Sequence, residues 1–112
     1  MSKPIIRTYS RYAQDARHLL GKLIRIKRKQ SKLKVQDVAE RAGISRGLMQ
    51  RIEKGEPECA IGVVFEVASI VGVKLFDAEQ TTLTQQLNQQ EEKLALLPIS
   101  VRSGKKEVDD DF

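Results

Sequence analysis

The stretch Leu33 to Gly55, LKVQDVAERAGISRGLMQRIEKG, holds two short helical patterns separated by one glycine turn. In the first, from about Lys34 to Arg41, the residues Val35, Val38, Ala39 and Ala42 fall on one side at helical spacing. Gly43 ends it, since glycine adopts the left-handed conformation that a tight helix exit needs, and Ile44 is apolar enough to point back inward. Ser45 is a good N-cap for the second helix, which runs to Lys54. That helix turns Met49 and Ile52 inward at i and i+3, leaving Arg46, Gly47, Leu48, Gln50 and Arg51 outward. Two apolar-faced helices about one glycine read as a helix-turn-helix. The outward side chains suit base edges, because Arg can bind guanine O6 and N7 with two hydrogen bonds and Gln can do the same to adenine. Gly47 offers no side chain to a base; it either concedes helix propensity or makes room for close approach to DNA.

With 112 residues, 40% of them apolar, there is room for one modest domain with an aliphatic core, plus tails. A formal charge of +5 and a pI near 9.5 favour an acidic partner, nucleic acid before an anionic membrane surface. The placement of charge matters more than its sum. Residues 1–75 carry 16 Lys and Arg against 7 Asp and Glu, or +9, whereas residues 76–112 carry 4 against 8, or −4. A single cysteine, Cys59, excludes an internal disulfide, and no run resembles a signal peptide or approaches the roughly 18 apolar residues of a membrane span. The cytoplasm, with no membrane partner, is therefore expected. His18 stands alone, without the cysteines or second histidine that metal ligation needs, and reads as a structural or surface residue. Cys59 has no histidine nearby in sequence, Ser45 and Ser69 occupy cap and helix positions, and there is no phosphate loop, so neither an enzyme nor a cofactor is expected.

Along the rest of the chain, residues 1–9 read as an extended N-terminal arm, either folded back, reaching toward DNA, or disordered. From about Ser10 to Lys29 a long helix is expected, with Ala13, Ala16, Leu20, Leu23, Ile24 and Ile26 on its apolar side. Its basic end, Arg25 to Lys29, suits the negative end of the helix dipole, or phosphate contact through Lys27 and Lys29. After Gly55 and Pro57, a fourth helix is expected from about Ala60 to Val71, with Ile61, Val64, Phe65, Ala68 and Val71 inward and Gly72 closing it. Val73, Lys74, Leu75, Phe76 and Asp77 alternate apolar and polar. They fit a short strand that would pair with its copy in a dimer, or a fifth short helix. The domain is thus drawn as 10–77, followed by a helix within 78–97 bearing Leu83, Leu87, Leu94 and Leu97, and by a disordered tail, 98–112.

Leu20 to Val73 resembles the Xre family of lambda-repressor-like helix-turn-helix proteins. The resemblance rests on Leu20-Gly21, Arg28, Val38-Ala39, Ala42-Gly43-Ile44-Ser45, Ile52-Glu53-Lys54-Gly55, Phe65 and Gly72-Val73. It implies an all-α, four- to five-helix DNA-binding domain in which Arg46, Gly47, Gln50 and Arg51 lie where the family reads bases. Leu48 would contact backbone or a thymine methyl, and Arg28 and Glu53 would form a structural pair. Lys27, Lys34, Arg41 and Lys54 would supply phosphate contacts to double-stranded DNA. The chain departs from the family at Lys34 and Val35, where a Thr cap followed by Gln is usual, so the cap is expected to be lost. The segment after the fourth helix and the C-terminal end resemble HipB-type antitoxins. That likeness implies a homodimeric autorepressor that partners a HipA-like kinase toxin, or else a stand-alone repressor. The acidic end Val108, Asp109, Asp110, Asp111, Phe112 reads either as a solvated tail or as a peptide that docks into the toxin.

Overall fold

Ser10 starts the first helix by accepting a hydrogen bond from the Ala13 N–H on its Oγ at 3.1 Å. In the computed structural model, which describes residues 7–101, this helix, α1, spans Arg11–Gln30. It is followed by α2 (Val35–Ala42), α3 (Arg46–Glu53), α4 (Ile61–Val71), a 3-10 turn at Leu75–Asp77 and α5 (Gln80–Ala95). The fold is all-α, and no strand occurs among the described residues. Most of the expected arm and the tail from Arg102 onward, including Val108 to Phe112, lie outside them.

The chain divides into two units at Asp77 and Ala78. In the first, α1 packs on α3 and α4, and α2 packs on both α3 and α4. Ile24, Val38, Ala39, Met49 and Val67 at their centre are fully buried, with Ala68, Ile52 and Val71 beside them. The helix exits make this packing possible. At Gly43, φ is +70° and the Ile44 N–H returns to the Ala39 carbonyl at 2.9 Å; at Gly55, φ is +73° and the Glu56 N–H returns to Arg51 at 3.1 Å. The same return from the Leu33 N–H to Arg28, 3.1 Å, is made through Lys32 at φ +59°, a conformation that strains a residue with a Cβ.

Several expectations are corrected. Leu48 is half-buried against the core rather than fully outward. Ile61, placed inward by periodicity, is 69% exposed, because the α4 stripe that reaches the core is Val67, Ala68 and Val71. Of the two readings of Val73 to Asp77, the single chain has the short helical one, a 3-10 turn at Leu75–Asp77. Phe76 (φ +55°) and Asp77 (φ +55°) are left-handed, and the Phe76 ring meets Phe65 edge-on at 6.3 Å, which bends the segment away from an extended course. A lone strand would also leave its backbone groups unpaired.

The second unit contains α5, which buries no residue; Leu83 is half-buried and Leu87 and Leu94 are exposed.

Candidate nucleic-acid interface

α3 presents the outward strip. Arg46 and Gln50, Gly47 and Arg51, and Gln50 and Lys54 are each four residues apart, so they share one helix side. All five are exposed, while Met49 and Ile52 on the opposite side are buried. The first turn is fixed by Ser45, whose Oγ accepts from the Leu48 N–H at 3.0 Å. A Cβ built on Gly47 would find nothing nearer than Ser45 Oγ at 4.0 Å, so the protein's own packing does not require glycine there.

Behind this strip, α3 is tied to α1 at three points. At Gly21 the helices approach so closely that a Cβ would lie 2.6 Å from the Glu53 carbonyl oxygen. The Arg28 guanidinium forks onto the Glu53 carboxylate, Nε to Oε2 at 2.6 Å and Nη2 to Oε1 at 3.1 Å, and its Nη1 donates to the Leu33 carbonyl at 2.9 Å. Both side chains are close to fully buried, at 10% and 7% exposure, so this pair faces the interior and not a ligand. The hydrogen bond to Glu53 raises the Arg28 pKa above its ordinary value, helped by Coulombic attraction and opposed by burial, and the guanidinium is charged at every working pH. Further along α1, Arg17 Nη1 donates to the Gly55 carbonyl at 2.9 Å while its guanidinium lies 5.0 Å from the centre of the Tyr9 ring. Arg17 Nε is buried without a hydrogen-bond partner among the described residues, and the Tyr9 π-face supplies part of the missing stabilisation.

The expected phosphate-contacting side chains Lys27, Lys34, Arg41 and Lys54 are all exposed. They are not one cluster. Lys34 and Arg41 sit at opposite ends of α2, about 10 Å apart along its axis at 1.5 Å per residue, too far apart to meet at one phosphate. Beyond Lys54 the loop carries exposed Glu56 and Glu58, which end the positive surface on that side.

Sequence reasoning missed two participants. Lys34 makes no side-chain cap bond, as expected, but Asp37 at the third helical position accepts from the Lys34 N–H at 2.8 Å. This is the reciprocal half of a capping box, and an acid three residues after the cap was the available signal. Arg17 had no signal, because its acceptor is a carbonyl 38 residues away. Among the described residues no group of His, Cys, Asp or Glu is placed to hold a metal ion, and no helix is long and apolar enough to cross a membrane.

A family model described as a helix-turn-helix domain matches residues 19–80. Comparison with curated proteins and with solved structures returns no match.

Proposed function

The chain belongs to the helix-turn-helix domain family, whose DNA-binding role it shares, and from that premise we propose that it is a sequence-specific repressor acting as a homodimer on an inverted-repeat operator. The observation that carries the reading is the outward strip of α3, exposed along Arg46, Gln50 and Arg51 and backed by buried ties at Gly21 and Arg28. Side chains that read bases must be held in place before the DNA arrives, and these ties supply that rigidity. In a twofold dimer each α3 enters a major groove, with half-sites about 34–36 Å apart. Arg46 and Arg51 pair with base edges, Gln50 contributes an amide, and Gly47 admits the DNA backbone closely. Lys27, Lys34, Arg41 and Lys54 hold phosphates, with Leu48 at the edge of the contact. Repression follows where the site overlaps a promoter.

The test begins with a footprint on DNA upstream of the protein's own reading frame. At the site so found, Arg46→Ala and Arg51→Ala each lose about 1–3 kcal/mol of binding while retaining affinity for random DNA. Equal losses on both DNAs would refute base reading.

Within this reading the chain is an antitoxin whose second partner is a HipA-like kinase toxin. Support comes from the likeness of the segment after α4 and of the C-terminal end to HipB-type antitoxins, and from the change from +9 to −4 between residues 1–75 and 76–112. Leu75–Asp77 forms a 3-10 turn in the single chain, so this reading rests on the tail and the charge. Deleting Val101 to Phe112 separates the two roles. Operator binding that persists while a co-expressed kinase is no longer retained identifies an antitoxin; retention by neither form leaves the stand-alone repressor.

A further inference from the structure

Helix α1 buries Gly21, Ile24 and Arg28, yet its outer side is apolar as well. Tyr12, Ala16, Leu19, Leu23 and Ile26 succeed one another at intervals of four, three, four and three, the spacing of a coiled-coil seam. None is covered: Tyr12 is 87% exposed, Leu19 59%, Leu23 40% and Ile26 50%. The α5 region repeats the same intervals with Leu83, Leu87, Gln90, Leu94 and Leu97. Here too Leu87, Leu94 and Leu97 are exposed, at 58%, 67% and 54%. A helix whose core side is already occupied thus carries a second seam, and a helix with no buried residue carries a matching one.

Charge selects the pairing. Two α1 helices together would set Lys22, Arg25 and Lys29 against an equally basic neighbour, with Asp15 as the one acid on that helix. Two α5 helices would leave the α1 seam bare, and the antiparallel register that sets Lys93 beside Glu79 opposes only Leu83 and Leu87. An antiparallel α1 and α5 put Tyr12 opposite Leu94, Leu19 opposite Leu87 and Leu23 opposite Leu83. The flanking positions then set Asp15 beside Lys93 and Lys29 beside Glu79. The parallel alignment places Asp15 by Glu91, like against like.

We propose that α5 of one copy lies antiparallel along the outer face of α1 of a second copy, two reciprocal seams closing a twofold homodimer. This rests on the homodimer proposed above and names its interface.

The test is disulfide trapping in full-length Cys59→Ser protein. Chains carrying Leu19→Cys and chains carrying Leu87→Cys are mixed under mild oxidation, and a covalent dimer is expected in the mixture and in neither chain alone. Overturning results are a dimer from Leu87→Cys alone, which is α5 self-pairing, or a double variant that closes its bond at monomer mass, which is α5 on its own α1. A protein that sediments as a dimer without the 19–87 bond refutes the seam and spares the homodimer; a monomer at all concentrations refutes both. Charge reversal provides the second measurement. Asp15→Lys weakens dimerisation on the order of tenfold over the two reciprocal contacts, and adding Lys93→Asp restores it. Failure of the second change to restore it overturns the proposed register.

Discussion

Arg28 holds three parts of the chain at once: α1 that carries it, the Leu33 carbonyl before α2, and Glu53 at the end of α3. Removing either partner leaves a buried, unpaired charge, so Arg28→Ala and Glu53→Ala each destabilise by about 3–5 kcal/mol, read by thermal or urea melting. A protein of this size has about 5–15 kcal/mol in total, so either variant approaches unfolding. The pH dependence follows from the raised Arg28 pKa. The arginine's contribution is complete below its unfolded pKa and is lost only as pH rises through the higher folded value. The gap between wild type and Arg28→Ala is accordingly flat across neutral and mildly alkaline pH. Gly47 is the opposite kind of residue, since nothing in the protein fills the space a Cβ would take. Gly47→Ala stabilises the fold by about 0.5–1 kcal/mol through helix propensity and weakens operator binding. Both are measurable on one preparation, and undiminished binding would show that the glycine serves no close approach.

Among the elements, the helices followed from capping and periodicity, which are local properties. Ser10, Ser45, Gly43 and Gly55 mark ends that the structure places within one or two residues of expectation. What local pattern could not supply was which of two apolar sides of α1 meets the core. Periodicity puts Ala16, Leu23 and Ile26 on one side with Ile24, yet only Ile24 among these four is buried, because α1 meets α3 at Gly21 and the side that turns inward is set by that crossing. The crossing is sterically intolerant. Gly21→Ala drives a Cβ against the backbone carbonyls of Ile52 and Glu53, at 2.9 and 2.6 Å, where no flexible side chain can yield. The expected cost is about 1–3 kcal/mol of stability, with a further loss of operator binding because α3 is displaced as a body. Melting together with operator affinity checks both; an unchanged melting temperature would mean that the helices can separate freely. Asp37 and the turn at Leu75–Asp77 belong to the same scale. The first is a cap that a broader reading of the motif would have found, and the second bends where Phe76 meets Phe65, a pairing that alternation of polarity does not encode.

For the whole molecule, the amino-acid sequence by itself determined a helix-turn-helix about Gly43 within a helical domain, a basic first part and an acidic last part. These depend on residue type, spacing and net charge, quantities that the chain carries before it folds. Tertiary structure alone decided the ties that hold α3, including Arg17 on Gly55, and the side of α1 left bare. It also decided between the two readings of Leu75–Asp77 in favour of a short turn in the single chain. Each of these joins residues far apart in the chain or depends on the angle at which two helices cross. Such distances are set when apolar faces from different elements compete for one core, and no local pattern records the outcome of that competition.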